Sequence, residues 1–199
     1  FKALLFLGAG SVIHALNNEQ DIRMMGGVRK KLPYTYIFML IGTLALTGFP
    51  FLSGFYSKDA IIEFAYLSNS LIGSYAAVVG ILVAFLTGIY SWRLFFKTFH
   101  GSYNNKSISI DKIHESPLVM LIPLFFLSIG ALSTGYLFKE TMIGQNNNFW
   151  QSSIFFLEKI AYDTIPLWFL VLTPTIVIIS IPSAYYFFVI NSKSLDEFK

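Results

Sequence analysis

The sequence contains no cysteine, which excludes disulfide frameworks, thiolate metal sites and cysteine nucleophiles. It is also poor in charge, because acidic and basic residues make up 13% of its 199 residues, about half of the roughly 25% that soluble domains carry. No HExxH, GxSxG or P-loop motif is present, and the three histidines lack metal-ligand spacing. We therefore expect no catalytic, cofactor-binding or metal-ligating residues. Because aromatic residues are not interleaved with the basic ones, we also expect no nucleic-acid partner.

Apolar residues are abundant and are arranged in long runs. Hydrophobic residues make up 55% of the chain, and the charges cluster between uncharged segments. A membrane-spanning helix needs about 20 apolar residues. The pattern predicts an all-α fold, a polytopic transmembrane helix bundle that forms a single membrane region over 1–199. The predicted spans number about five and cover residues 1–16, 34–67, 71–96, 118–138 and 165–190. Three prolines in the last span predict that this helix is kinked.

The second predicted span is too long to be one straight helix. Its 34 residues would measure about 51 Å, against roughly 30 Å of hydrocarbon. Gly48, Pro50 and Gly54 can each interrupt a helix, so we predict a break near 47–54. Lys58 and Asp59 follow directly. A broken helix with ionisable groups requires protein or water to satisfy the freed backbone, which is typical of an ion path.

The basic residues predict the orientation of the bundle. If the spans alternate, one side receives nine basic residues and the other receives Lys139 and Lys159. Loop 17–33 then lies on the inner side, the matrix or the cytoplasm. The residues on the inner side are Arg23, Arg29, Lys30, Lys31, Lys97, Lys106, Lys112, Lys193 and Lys199.

The third predicted span carries small residues at four-residue spacing. Ala76, Gly80, Ala84 and Gly88 would share one helix face. Such a face lets a neighbouring helix approach closely, so we expect a tightly packed interface there. A chance occurrence in a span rich in glycine and alanine is the alternative.

Several strings are characteristic of one family. The segments Phe1–His14, Leu16–Gly27 and Gly48–Asp59, with the string Phe99-His-Gly101, closely resemble the chain 5 family of NADH:ubiquinone oxidoreductase (respiratory complex I), mitochondrial type. The resemblance is specific over 1–101 and looser over 102–190. It implies a proton-translocating, antiporter-like subunit with two inverted five-helix repeats, and this chain resembles the second repeat. The sequence would then be a fragment of a larger subunit, or the product of a split gene.

The resemblance also implies roles for individual residues. Lys2 and Lys58 are similar to the lysines of the two broken helices, Asp59 to the acidic neighbour of the second lysine, and His14 to the histidine at a helix end. From the residues alone, Lys2 could instead be an interfacial lysine, His14 a polar helix end, and Lys58 a marker of the membrane interface.

The expected partners are the other membrane-arm subunits, a chain or segment with the missing N-terminal repeat, and membrane lipids. The complex uses NADH, FMN, iron–sulfur clusters and ubiquinone, but this chain would bind none of them and would act only as a subunit of a proton-translocating NADH:ubiquinone reductase. The expected location is the mitochondrial inner membrane with loop 17–33 in the matrix, or alternatively a bacterial plasma membrane. The competing functions are a subunit of a multisubunit Na⁺/H⁺ antiporter and a structural membrane-arm subunit without an active proton path.

Overall fold

The computed structural model describes residues 1–68, 70–105, 109–142, 150, 153 and 165–191. Within these residues the regular structure is entirely helical, as predicted. The α-helices are α1 (Lys2–Ala15), α2 (Pro33–Thr47), α3 (Ser53–Leu67), α4 (Leu71–Phe99), α5 (Leu118–Met142) and α6 (Leu167–Tyr185). Short 3₁₀ turns lie at Val28–Lys30 and Ile110–Lys112, and a π-helical turn, Tyr186–Ile190, continues α6.

Three helices are long and apolar enough to cross a membrane: α4, α5, and α6 with its π turn. Helices α1 and α2 are apolar but shorter, with 14 and 15 residues. Helices α2 and α3 together occupy the long second predicted span, and residues 48–52 separate them. The fold is therefore that of an integral membrane helix bundle in which one span consists of two half-helices.

The end of the bundle that contains the α1–α2 connection has an aromatic core. Trp92, Phe95 and Phe99 from the last turns of α4 are buried against Leu16 and Val28 of the α1–α2 connection. Burying one large apolar side chain typically stabilises a fold by about 1.5–3 kcal/mol. This core fixes the α1–α2 connection to the end of α4.

The small residues of α4 pack differently from the prediction. Ala84 and Gly88 are buried, but Ala76 is exposed and Gly80 only half-buried. The buried face follows Gly73, Ala77, Ala84, Gly88, Ser91 and Phe95. Steps of four residues rotate about 40° around a helix, so a strict four-residue series leaves a contact face after a few turns, whereas alternating three- and four-residue steps stay on it. The predicted stripe is therefore wrong at Ala76.

A buried polar cluster joins α1, α2 and the segment before α5. The Ser11 hydroxyl donates to the Ser116 hydroxyl (2.6 Å), and its oxygen also lies 2.9 Å from the Thr35 hydroxyl oxygen. Glu115 accepts from the Thr35 hydroxyl (2.5 Å) and from the backbone N–H of Tyr34 (2.9 Å). Since Tyr34 lies in the first turn of α2, the carboxylate satisfies an N–H that the helix itself cannot bond. This cluster joins the last part of α1, the beginning of α2 and the segment before α5.

Candidate helix-break site

The break begins with a well-defined helix end. Gly48 has φ +84°, in the left-handed region, and its N–H donates to the Ala45 carbonyl (3.3 Å). The N–H of Phe49 donates to the Leu44 carbonyl (3.0 Å). These two bonds form a Schellman motif, which requires a left-handed residue that glycine adopts at low cost. Helix α2 therefore ends because of Gly48, and Pro50, which has no N–H to donate, lies in the turn that follows.

Lys58 bridges the two half-helices. Its Nζ donates to the backbone carbonyl of Thr47 (3.1 Å), one of the last carbonyls of α2. Such a carbonyl has no partner within its own helix, and the C-terminal end of a helix carries partial negative charge. The half-buried lysine thus donates a hydrogen bond to a carbonyl that its own helix leaves unpaired, and its positive charge offsets the partial negative charge of the helix end. A membrane-interface lysine would instead extend its ammonium group into water.

The beginning of α3 packs directly on the end of α2. A Cβ added at Gly54 would overlap the backbone carbonyl oxygen of Ala45, so only glycine fits between the two half-helices. The neighbouring Gly48 lies beside the lysine stem, because a Cβ there would be 3.3 Å from Lys58 Cδ. The glycines predicted to interrupt the span therefore also set the close approach that brings Lys58 to the helix end.

Two carboxylates lie on α3 beside the lysine. Asp59 is buried, with 8% of its surface exposed, and its Oδ1 has no hydrogen-bond partner among the described residues. Glu63 follows one helical turn later and is half-buried. An unsatisfied buried carboxylate is costly, and such groups in membrane segments usually mark ion paths.

Helix α5 closes one side of the break. A Cβ at Gly135 would be 2.6 Å from Ser53 Cα, so α5 contacts the first turn of α3. One turn further along α5, Lys139 lies over the Tyr56 ring, with its Nζ 5.7 Å from the centroid, and it interacts electrostatically with Glu63. From the sequence, Lys139 is interpreted only as a marker of membrane topology. Its rarity as a basic residue on that side was the one signal that could have indicated this position.

The structure does not bring all the predicted residues together. Lys58 and Asp59 are adjacent at the break, whereas Lys2 and His14 are exposed at opposite ends of α1. No described hydrogen bond or ion pair connects Lys2 or His14 with Lys58. Within the described residues, no group of three His, Asp or Glu side chains could hold a metal ion. The site is thus a set of ionisable groups around a helix break and can hold or exchange protons.

The sequence is similar to known membrane proteins over its whole length. Residues 1–87 match the family described as NADH:quinone oxidoreductase/Mrp antiporter, TM. NADH-ubiquinone oxidoreductase chain 5 of Marchantia polymorpha is 51% identical over 159 residues, covering 80% of this chain and 24% of that protein. The chain 5 protein of Chondrus crispus is 50% identical over 165 residues, covering 80% and 25%. That of Phytophthora infestans is 43% identical over 203 residues, covering 100% and 31%. This chain spans less than a third of the length of these relatives.

Proposed function

We infer from these similarities that this chain belongs to the chain 5 family of NADH-ubiquinone oxidoreductase, and we propose that it contributes part of a proton path to that enzyme complex. The observation that carries the proposal is the Lys58–Thr47 hydrogen bond across the helix break. The chain acts with other subunits of the complex and with the segment that corresponds to the rest of its relatives. NADH, FMN, iron–sulfur clusters and ubiquinone are bound elsewhere in the complex, and this chain takes no part in the electron transfer itself.

The proposed location is the mitochondrial inner membrane, since the relatives come from eukaryotes. Loop 17–33 faces the matrix because the basic residues are concentrated on its side of the bundle. The Lys31–Asp111 ion pair (3.3 Å) lies at this same end.

In the proposed mechanism, Lys58 is the group that binds and releases the proton. As an ammonium it donates to the Thr47 carbonyl at the end of α2. Because it is half-buried, its affinity for the proton depends strongly on the charges nearby. Asp59 supplies the adjacent charge, and Glu63 and Lys139 extend the set of ionisable groups along α3 and α5. A change in the charge at one of these groups therefore changes the proton occupancy of Lys58.

Two other functions compete with the proposed proton path. The description of the matched family also covers Mrp antiporters, so a Na⁺/H⁺ antiporter subunit has a related fold. The identities of 43–51% to chain 5 proteins favour the respiratory complex. A purely structural subunit could use Lys58 to satisfy the freed carbonyl, but it would not need the buried, unsatisfied carboxyl group of Asp59 beside it. Lys2 and His14 stay in the proposal as proton-path residues by resemblance alone.

Substitution of Lys58 tests the proposal in membranes where the complex assembles normally. Lys58→Ala removes the group that exchanges the proton. It should slow proton transfer through this path by about a hundredfold, the contribution that a positioned proton-transfer group makes. Lys58→Arg keeps the charge but cannot release a proton, so it should be similarly impaired. The measurement is the number of protons translocated per NADH oxidised.

The matched control is Lys112→Ala, which removes an exposed lysine at the inner side and should leave translocation unchanged. Translocation by Lys58→Arg at the wild-type level would show that a permanent charge suffices, and the relay role of the lysine would be rejected. Proton uptake that follows added Na⁺ and is independent of NADH would favour the antiporter function instead.

A further inference from the structure

A polar cavity opens at the inner end of the bundle, away from the helix break. Its volume is about 300 Å³. It lies where the α1–α2 connection, the last turn of α4 and the π turn after α6 meet. The polar side chains of its lining come from Arg23, Lys97, His100, Ser102 and Asn104, and the proton path proposed above uses none of these residues.

The cavity has a basic character. Among the described residues that line it, none is acidic. Lys97, in the last turn of α4, makes no ion pair with any described residue, whereas Arg23 is held by Asp21 with N–O distances of 2.6–3.0 Å. Lys97 therefore gives the cavity a positive charge that the described lining does not neutralise. An anion is the complementary ligand.

His100 adds a hydrogen-bonding group to this lining. Its ring packs against Tyr36, Phe95 and Phe96, with centroids 5.4–5.8 Å apart, so its orientation is fixed. Its Nδ1 is buried, so Nε2 is the ring nitrogen through which His100 can reach a ligand in the cavity. Burial and the nearby Arg29 lower the pKa of His100 from its usual value, which favours the neutral imidazole with one N–H to donate.

The backbone beside the histidine is open to a ligand. Gly101 has φ +82°, and an added Cβ would have no atom of the described residues within 4 Å. Phe188 and Val189 from the π turn give the cavity wall an apolar part. The lining therefore combines groups that suit a charged ligand with groups that suit hydrocarbon.

We propose that this cavity binds the phosphate headgroup of an anionic phospholipid, with Lys97 and His100 on the phosphate and Phe188 and Val189 against the lipid's apolar part. The position agrees with this ligand, since basic pockets between helices at the inner membrane surface bind such headgroups. A free phosphate ion has the same charged group but would leave the apolar part of the wall without a partner. The proposal does not depend on the proton path.

Photolabelling of the purified complex tests the proposal. The probe is phosphatidylglycerol with a diazirine near the start of an acyl chain, and phosphatidylcholine with the same diazirine is the zwitterionic comparison. Peptides that contain residues 97–104 and 185–191 are analysed by mass spectrometry. We expect the phosphatidylglycerol probe to label them several-fold more than the phosphatidylcholine probe. Lys97→Ala should lower that labelling by about fivefold, the effect of removing one basic residue near an anionic group.

Lys112→Ala is the matched control and should leave the labelling unchanged, since this exposed lysine lies outside the cavity. If Lys97→Ala does not assemble, raising the ionic strength on the wild-type complex replaces it. The phosphatidylglycerol labelling should then fall while the phosphatidylcholine labelling stays constant. Equal labelling by the two lipids, or labelling insensitive to both Lys97 and salt, would overturn the proposal. Loss of the lipid label to inorganic phosphate at matched ionic strength would assign the cavity to free phosphate and would also overturn it.

Discussion

Lys58 and Asp59 are consecutive residues, but their charged groups differ in their hydrogen-bond partners. The lysine ammonium has an acceptor, the Thr47 carbonyl at 3.1 Å. The Asp59 carboxylate is buried, with Oδ1 unsatisfied among the described residues. A buried carboxyl oxygen without a hydrogen-bond partner lowers stability. We therefore expect Asp59 to act on the lysine through its charge and to contribute little to holding the fold.

Asp59→Asn separates these two effects. The change removes the charge beside Lys58 and should alter its proton affinity by about tenfold, so proton translocation should fall, though less than in Lys58→Ala. Thermal stability of the complex should stay the same or rise, because a costly buried charge is removed. Protons translocated per NADH and the temperature of inactivation are the two measurements.

The control is Asp111→Asn, whose side chain is 88% exposed and pairs with Lys31 at the surface. Exposed pairs contribute about 0–1 kcal/mol, so neither measurement should change. A large loss of stability in Asp59→Asn without a loss of translocation would contradict the role given to Asp59.

Part of the site could be predicted from single residues. A lysine and an aspartate that follow glycine and proline in an apolar run must lie at a helix break, because continuous helix would exceed the membrane thickness. The acceptor of Lys58 could not be predicted, since it is a backbone carbonyl whose position depends on how α2 ends. The surroundings of Lys2 could not be predicted either, because the sequence of one helix does not indicate which of its faces the neighbouring helices cover.

The helix break between α2 and α3 depends on Gly48 more than on Pro50. Gly48→Ala should destabilise the end of α2 by about 1–2 kcal/mol, because alanine is strained at the left-handed φ of +84°. The new methyl group would also lie 3.3 Å from Lys58 Cδ and displace the lysine stem. We expect a lower inactivation temperature together with impaired proton translocation.

Gly130→Ala in α5 is the matched control. A Cβ there meets only Thr134 Cγ2 at 3.9 Å, an ordinary contact, so the substitution should be neutral or should stabilise the helix by up to about 1 kcal/mol. If the two alanine variants inactivated at the same temperature, the left-handed turn would not be what ends α2.

Helices were easier to predict than their contacts. Apolar length and the proline before α5 indicated where helices lie, because both act within a short stretch of sequence. The contact face of α4 depends on how side chains from α6 fit against it. The four-residue series therefore indicated the wrong face at Ala76, although Gly80 lies beside Ile62 of α3 and Gly88 lies in the contact with α6.

Across the bundle, α4 packs closely on α6. A Cβ at Gly88 would lie 2.7 Å from Ser180 Cβ, so Gly88→Val should force the helices apart. Overpacking of this kind costs about 1–3 kcal/mol. The amount of assembled complex, measured on native gels, should fall.

Ala76→Val tests the exposed end of the same series. Ala76 is exposed within the described chain, so the larger side chain should be accommodated and assembly should be normal. Equal assembly defects in the two valine variants would restore the four-residue series as the packing face.

The contact between Lys58 and the Thr47 carbonyl has a consequence for hydration. A backbone carbonyl inside a membrane protein needs a donor, so it cannot be left bare when the lysine side chain moves away. Water is the small donor that can replace the ammonium group. Each departure of Lys58 therefore requires a water molecule to enter between the half-helices, and its return expels that water. Hydration of the helix break therefore changes together with the position of the Lys58 side chain.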